Sequence, residues 1–190
     1  MPSPIIHTTL GYIIYRILKN KVPKDSNQVY LTLPLALIFA IGVSLLPDID
    51  TVAGILSGDF GKYHNNVTHS LIVGVLVAFV LAMFIRLILK SGFWLWFGIG
   101  FVGYSLHVVM DYFTIGGRGV MLFWPISPIR FEAPLKIFYG VRWSEGLFNP
   151  IHITTLVTEL LFVLIISMAV LVIDRREGPS NSRRLSKSTE

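Results

Sequence analysis

The stretch LIVGVLVAFVLAMFIRLIL, Leu71 to Leu89, is apolar except for one charged residue, Arg86, close to its end. An α-helix needs about 20 consecutive apolar residues to cross the hydrocarbon core of a bilayer. The composition of the 190-residue chain agrees with this reading, since 53% of the residues are hydrophobic, 14% are charged and the mean hydropathy is +0.67. These values are typical of a membrane protein and exclude an ordinary soluble domain.

Four other apolar segments extend this pattern over most of the chain: Ile5–Leu18, Leu31–Leu46, Phe93–Met110 and Ile151–Ile173. The last two are long enough to span a membrane, the second is somewhat short, and the first is shorter still and suits a tilted or partly embedded helix. The sequence therefore predicts an all-α membrane protein, a small bundle of about four to five transmembrane or membrane-embedded helices. Residues 1–174 form one predicted domain with a long outer loop at 112–150, and residues 175–190 a basic, disordered tail.

The lysines and arginines divide unequally between the two ends of the predicted bundle. One side holds Arg16, Lys19, Lys21, Lys24, Arg86, Lys90, Arg175, Arg176, Arg183, Arg184 and Lys187, and the other holds Lys62, Arg118, Arg130, Lys136 and Arg142. The positive-inside rule then places the tail in the cytoplasm and the long loops outside a plasma (inner) membrane that the chain crosses several times. Basic residues at helix ends and in a tail set orientation, so the net charge of +5 does not indicate a nucleic-acid partner.

Two features missing from the sequence limit the kinds of site and of processing that we expect. The chain has no cysteine, which excludes disulfides and thiolate metal sites. Its first residues, MPSPIIHTTL, lack the basic start of a signal peptide, so no cleavage is expected.

Histidines and aspartates collect at the predicted outer end of the bundle. The stretch VSLLPDIDTVAG, residues 43–54, ends the second apolar segment with two acids, YHNNVTHSL precedes the third segment, and YSLHVVMDYF ends the fourth. The first and last helices each begin with one more histidine. The residues at this end are His7, Asp48, Asp50, His64, His69, His107, Asp111 and His152.

The spacing of these residues favours a shared ion. His107 and Asp111 are four apart and so lie on one face of a helix. If the chain is extended after Pro47, Asp48 and Asp50 point the same way. The purely structural alternatives are that Pro47-Asp48 only ends a helix and that His107 and Asp111 are hydrogen-bonded to each other at the membrane interface.

The histidine pair in YHNNVTHSL flanks a predicted helix start. Thr68 is expected to cap a helix that begins near His69, which leaves His64 on the approaching loop. Imidazole and carboxylate ligands without thiolates suit zinc, manganese or iron, with zinc or manganese favoured for hydrolysis. The predicted ligands of one or two divalent ions are His7, Asp48, Asp50, His64, His69, His107 and Asp111, and Asp48 or Asp50 is the predicted catalytic proton carrier.

The order of these motifs resembles a known family. His7, then LLPDID, then HNNVTHSL, then His107-x-x-x-Asp111, then GVMLFWPIS is similar to the YdjM-like family of inner-membrane, metal-dependent hydrolases, over roughly residues 1–170. The resemblance implies a membrane-bound hydrolase and says little about its substrate. Members usually carry an arginine directly after the first histidine of the H-x-x-x-T-H-S motif, where this chain has Asn65.

The ligand order also resembles that of zinc-dependent phospholipases C and related nucleases, which attack phosphodiesters with clustered zinc ions. The matching residues are His7, Asp50, His64 and His107-x-x-x-Asp111. The downstream His-x-x-x-Glu of that class is absent, so only part of such a cluster carries over.

The loop 112–150 holds the remaining candidates. Its segment MLFWPISPIRF suits a re-entrant or interfacial structure over the site, or else an aromatic belt at the membrane surface. Arg118, Arg130 and Arg142 are candidates for binding a lipid phosphate. Glu145 is a candidate base, although a solvated loop charge is the commoner role for such a residue.

The last apolar segment contains one buried acid. Glu159 lies seven residues after His152, so that both occupy one helix face. An ionisable residue inside a membrane helix is a functional candidate. We prefer the structural reading, a protonated glutamate that is hydrogen-bonded to another helix.

The function predicted from the sequence is metal-assisted hydrolysis of a lipid ester or phosphoester at the membrane interface. An amide-cleaving enzyme would use the same chemistry. The rival readings are a non-catalytic membrane protein whose His/Asp cluster is structural or handles metal, and a membrane scaffold that docks a partner protein through its basic tail. A transporter is disfavoured because Glu159 is the one acid in the middle of the predicted bundle.

Overall fold

The computed structural model describes residues 2–19, 29–59, 62–90, 92–115, 118–142 and 148–186, with side chains from residue 33 in the second range and up to residue 173 in the last. These residues form five long α-helices, one short α-helix and two short strands. In chain order they are α1 (Pro4–Leu18), α2 (Val29–Leu45), α3 (Ile49–Leu56), α4 (Leu71–Leu89), α5 (Phe93–Tyr112), β1 (Thr114–Ile115), β2 (Phe138–Tyr139) and α6 (Ile151–Ser186).

The predicted all-α membrane bundle is confirmed. Four helical stretches are long and apolar enough to cross a membrane: Leu33–Leu56, Leu71–Leu89, Phe93–Tyr112 and Ile151–Ile173. Helix α1, with 15 residues, is not among them. It packs against α2, α5 and α6.

The sequence predicted an extended chain after Pro47, and this prediction is wrong. The chain forms a 3₁₀ turn, Leu46–Asp48, and continues directly into α3. Proline is compatible with the first turn of a helix, where its missing N–H is not needed, so Pro47 begins a new helical segment. Asp48 and Asp50 therefore reach the site from a helical corner.

Helix α4 begins at Leu71, two residues later than predicted. Its N-cap is Ser70, whose side chain accepts a hydrogen bond from the backbone N–H of Ile72 at 3.1 Å. Thr68 lies before this, in the 3₁₀ turn Val67–His69, and its hydroxyl donates to Asp50 instead. The predicted Thr68 cap is therefore wrong.

Small residues let the helices approach closely where α1 and α2 meet. A Cβ atom at Gly11 would lie 2.7 Å from the carbonyl oxygen of Ala40 and from Cα of Ile41. Close backbone approach through small residues is a common way to pack helices in membranes. Ala82 of α4 and Trp96 of α5 are fully buried and belong to the same apolar core as Ala36 and Ala40 of α2.

The long loop after α5 has structure of its own. Strands β1 and β2 pair in parallel, and Val120 forms an antiparallel bridge with Phe131. The loop is fixed to the start of α4, because the Ser70 hydroxyl donates to the carbonyl oxygen of Trp124 at 2.7 Å and the N–H of Leu71 donates to the carbonyl of Leu122 at 3.0 Å. The loop thus packs over the end of the bundle where α4 begins and α5 ends.

Helix α6 continues to Ser186, well past its apolar part. The sequence had suggested disorder from residue 175. Arg175, Arg176 and Glu177 are good helix formers, and extending an existing helix needs no new nucleus. The helix also runs through Gly178 and Pro179, two poor helix formers, before it ends at Ser186.

Candidate metal centre

One end of the bundle brings together side chains from three helices and the segments between them. Helix α1 provides His7, α3 provides Asp50, and α5 provides His107 and Asp111. The 3₁₀ turn before α3 provides Asp48, and the segment before α4 provides His64 and His69. His7, His69 and His107 are completely buried. Four of the five predicted boundary histidines therefore lie in one cluster.

Asp111 lies at the centre of the cluster. Its Oδ2 atom is 3.0 Å from Nε2 of His69, 3.8 Å from Nε2 of His64 and 3.9 Å from Nε2 of His107. Its Oδ1 atom is 3.6 Å from Nε2 of His7. All four imidazoles thus present the same ring nitrogen to one carboxylate.

Asp48 faces the same space from another side. Its Oδ1 atom is 3.5 Å from Nε2 of His107 and 3.7 Å from Nε2 of His69. Asp48, His69, His107 and Asp111 each offer one ligand atom, and these four atoms lie within 4.8 Å of one another. Two carboxylates and two imidazoles at this separation are a suitable ligand set for zinc or manganese.

The orientation of His107 is fixed by a backbone carbonyl. Its Nδ1 atom lies 2.7 Å from the carbonyl oxygen of Ser44 in α2. A carbonyl only accepts hydrogen bonds, so Nδ1 carries the proton and the Nε2 lone pair faces the cluster. Such a bond to the second ring nitrogen is the usual support of a metal-binding histidine.

Several buried polar atoms of the cluster have no hydrogen-bond partner among the described residues. They are Nδ1 and Nε2 of His7, Oδ1 of Asp48, Nε2 of His64, and both Oδ1 and Oδ2 of Asp111. Leaving buried polar groups unpaired is costly, and most proteins avoid it. A divalent cation would satisfy these nitrogen and carboxylate atoms together, so the donor set fits a metal ion.

The carboxylates around His69 favour a positive charge at that position. Burial lowers the pKa of His69, but its contacts with the carboxylates of Asp111, Asp48 and Asp50 outweigh burial and hold that pKa well above its ordinary value. A cation among these carboxylates would take the place of that proton.

A second group of possible ligands adjoins the first. Asp50, His64 and His69 offer ligand atoms within 4.8 Å of one another. Asp50 differs from the other two aspartates because it already accepts hydrogen bonds, from the hydroxyl of Thr68 at 2.7 Å and from that of Thr51 at 3.4 Å. The sequence predicts all three aspartates as metal ligands, and their hydrogen bonding separates them.

Three supporting contacts were not predicted. They involve the Ser44 carbonyl, the Thr68 hydroxyl, and Tyr104, whose hydroxyl donates to the carbonyl of Thr68. Tyr104 lies three residues before His107 and so shares its helix face, a signal that was present in the sequence. The Ser44 contact uses a backbone atom, for which side-chain patterns carry no signal.

The structure places Arg130 beside the histidine segment. Its Nη1 atom donates to the carbonyl oxygens of Asn65 at 2.9 Å and Gly119 at 3.1 Å, and its Nη2 atom donates to the Asn66 side chain. Burial, and then the nearby charge of Arg118, lower the pKa of Arg130. Two of the three candidate arginines therefore lie near each other in the long loop.

The third arginine and the last histidine meet elsewhere. The backbone N–H of Arg142 donates to Nε2 of His152 at 3.3 Å, at the start of α6. His152 belongs to neither group of possible metal ligands found in the described part of the chain. The candidate base Glu145 lies outside the described residues.

Glu159 connects α6 to the start of α1. Its side chain is completely buried and accepts hydrogen bonds from the backbone N–H of Ser3, at 2.6 Å, and from the Ser3 hydroxyl. The contact joins Glu159 to the N-terminus of α1, and both Ser3 groups donate, so the carboxyl acts as an acceptor. Ser3 is also the N-cap of α1, the helix that carries His7.

Comparison with known proteins agrees with the motif order. The sequence matches the family described as YdjM inner membrane protein over residues 1–178. It is 29% identical over 182 residues to inner membrane protein YbcI of Escherichia coli (strain K12), a match that covers 90% of this chain and 95% of that protein. No solved structure matches. These descriptions name a location and no reaction. The chain belongs to the YdjM inner membrane protein family and is a multi-pass protein of the inner membrane.

Proposed function

We propose that this protein is a membrane-bound, metal-dependent hydrolase that cleaves a lipid ester or phosphoester at the membrane interface. The observation that carries the proposal is the set of unpaired, buried nitrogen and carboxylate atoms around Asp111. A buried cluster of this kind is unfavourable without a cation, and its ligand types are those of hydrolytic zinc and manganese sites.

The ligands in this proposal are His7, Asp48, His64, His69, His107 and Asp111. Six candidate ligands exceed the three that hold a typical catalytic zinc, so one or two ions fit. A bound divalent ion would supply Lewis acidity and a water that ionises near neutral pH. Asp48 and His64 are the more exposed members, each with 14% of the side chain accessible, so substrate would approach from their side. Asp48 is placed there to accept or return a proton.

The surroundings of the cluster suit a lipid. The outward face of α3 exposes Ile49, Val52, Ile55 and Leu56, directly beside Asp48 and Asp50. Acyl chains could lie against this apolar face while the polar head reaches the metal centre. Arg118 and Arg130 supply positive charge in the adjacent loop, which suits the phosphate of a phospholipid. With the basic C-terminal segment in the cytoplasm, the cluster faces outward.

The test is metal content by elemental mass spectrometry on the detergent-purified full chain, compared with Asp111→Ala and with the exposed control Asp59→Ala. We expect one or two zinc or manganese ions per chain in the wild type and in the control, and none in Asp111→Ala. Vesicles of phospholipid with a labelled ester or phosphoester then test hydrolysis. A wild type that stays free of metal after zinc or manganese is added would refute the proposal.

A non-catalytic metal site is the second candidate, because three of the histidines are completely buried. Bound metal without turnover of any ester, phosphoester or amide lipid would favour it. The scaffold alternative predicts loss of function after residues 178–190 are deleted, whereas the hydrolase would keep its activity.

A further inference from the structure

We infer that Asp50 is a positioning residue: it fixes the ring orientation of His64 and His69 in the metal centre, and it is neither a metal ligand nor the proton carrier. This inference rests on the proposed metal centre. It assigns to Asp50 a role different from those of Asp48 and Asp111, although all three lie in the same cluster.

Asp50 contacts the same ring nitrogen of two imidazoles. Its Oδ1 atom is 3.2 Å from Nδ1 of His64, and its Oδ2 atom is 3.2 Å from Nδ1 of His69. On the far side of each ring, Nε2 faces Asp111, at 3.8 Å for His64 and 3.0 Å for His69. One carboxylate therefore orients two histidines toward a second carboxylate.

This arrangement determines which nitrogen is available. Nδ1 of His64 donates directly to Asp50, because a carboxylate accepts hydrogen bonds. Nδ1 of His69 lies 3.2 Å from Asp50 and 3.1 Å from the Thr68 hydroxyl oxygen. That hydroxyl gives its own proton to Asp50, so its oxygen accepts and Nδ1 of His69 carries the proton as well. The lone pair of each neutral ring is then on Nε2, inside the cluster. A carboxylate that accepts the outer N–H of a ligating histidine fixes its tautomer and orientation and increases its basicity.

The remaining contacts of Asp50 are those of a satisfied hydrogen-bond acceptor. The hydroxyl of Thr68 donates to Oδ2 at 2.7 Å, and that of Thr51 to Oδ1 at 3.4 Å. Neither oxygen of Asp111, in contrast, accepts a hydrogen bond of good geometry from the described residues, although Nε2 of His69 lies 3.0 Å from Oδ2, and Oδ1 of Asp48 accepts none either. A ligand oxygen needs free lone pairs directed at the ion. Asp48 and Asp111 meet this requirement, whereas the oxygens of Asp50 are already used by hydrogen bonds.

Thr68 is itself held in place. Its carbonyl accepts a hydrogen bond from the Tyr104 hydroxyl on α5. The chain of contacts from Tyr104 through Thr68 to Asp50 thus connects α5 to α3 at the metal centre. An ion bound instead between Asp50 and the two Nδ1 atoms would break the Thr68 bond and turn both Nε2 atoms into unsupported donors.

The experiment compares zinc binding to the full chain in detergent for wild type, Asp50→Asn, Asp111→Asn and the exposed control Asp59→Asn. A positioning role predicts that Asp50→Asn keeps the wild-type number of zinc ions at saturation but binds them about 10- to 100-fold more weakly. Asp111→Asn should lose at least one ion at any zinc concentration. The control should match the wild type.

Cobalt substitution provides a readout that general destabilisation would not produce. Because the ligands themselves are unchanged, the visible absorption spectrum of cobalt-saturated Asp50→Asn should match that of the wild type. If Asp50→Asn loses one ion at saturation, or if its cobalt spectrum changes, Asp50 is a ligand and the inference is wrong while the proposed metal centre stands. A wild type that binds neither zinc nor cobalt would overturn both.

Discussion

The Nε2 atom of His69 lies 3.0 Å from Oδ2 of Asp111, and both side chains are buried at the end of the bundle. They come from segments that are far apart in the sequence, a 3₁₀ turn before α4 and the last turn of α5. The contact brings a histidine whose pKa is raised by its acidic neighbours against a carboxylate that accepts no hydrogen bond of good geometry from the described residues. Removal of a bound cation should therefore affect the His69–Asp111 pair more than any other contact in the cluster.

Removing the metal should lower the thermal stability of the wild type. A ligand present at 100 times its dissociation constant stabilises the folded state by about 2.7 kcal/mol. For a chain of this size that corresponds to a Tm shift of roughly 5–10 °C on adding a chelator. Tryptophan fluorescence on heating in detergent measures it. Asp111→Asn, which lacks the central ligand, should show a smaller chelator effect. An equal shift in both proteins would mean that the stabilising ion binds elsewhere.

Close packing of α1 on α2 should matter for the site as well as for stability. In Gly11→Ala the added Cβ atom would lie 2.7 Å from the backbone of α2, so α1 must move outward. Overpacking of this kind costs about 1–3 kcal/mol. Since His7 is one turn away on the same face of α1, zinc affinity should fall together with the melting temperature. Gly42→Ala is the matched control, because no atom lies within 4 Å of the added carbon. Similar behaviour of the two variants would disprove the packing argument.

The membrane helices could be predicted because apolar length is a direct sequence signal. The gathering of His7, His64, His69 and His107 followed from their positions at helix ends. The helical corner at Pro47 was missed because a short segment between a membrane helix and a loop has no periodicity that separates an extended from a helical backbone. The Thr68 cap was missed for a related reason. Thr68 and Ser70 are both capable caps, and the choice depends on which hydroxyl a distant carboxylate, Asp50, engages.

The different roles of the three aspartates could not be predicted from the sequence either. Asp48, Asp50 and Asp111 are chemically identical, and what distinguishes them is which imidazole nitrogen each one faces. That depends on side-chain orientation in the packed cluster, which spacing along the chain does not determine. Likewise, nothing in the spacing indicates that Arg130 would reach Asn65 and Asn66 from a loop more than sixty residues away.

Arg130 should act mainly by holding the segment that carries His64. It donates to the Asn65 carbonyl, and Asn65 has a left-handed backbone with φ of 60°, which few residues other than glycine adopt readily. Lysine keeps the charge but cannot form the forked hydrogen bonds of a guanidinium. Arg130→Lys and Arg130→Gln should therefore weaken zinc binding to a similar degree, about tenfold, when measured by competition with a chelating dye.

Arg86→Gln, at the far end of α4, controls for a general effect of lost charge. Full zinc affinity in Arg130→Lys together with a loss in Arg130→Gln would contradict the anchoring role. That result would point to charge alone, as expected of a group that binds a substrate phosphate.

Glu159 should support the metal centre through the start of α1. Its carboxyl accepts both hydrogen bonds that Ser3 donates, and Ser3 caps the helix that carries His7. Glu159→Leu leaves the half-buried Ser3 donors without their partner at a cost of up to about 1–3 kcal/mol, whereas Glu159→Gln keeps one acceptor oxygen and should cost less. If Glu159 has this structural role, both the melting temperature and the zinc affinity should follow the order wild type, Gln, Leu. A catalytic role predicts a different pattern, in which Glu159→Gln keeps stability and metal but loses hydrolysis as completely as Glu159→Leu, and that pattern would refute the structural assignment.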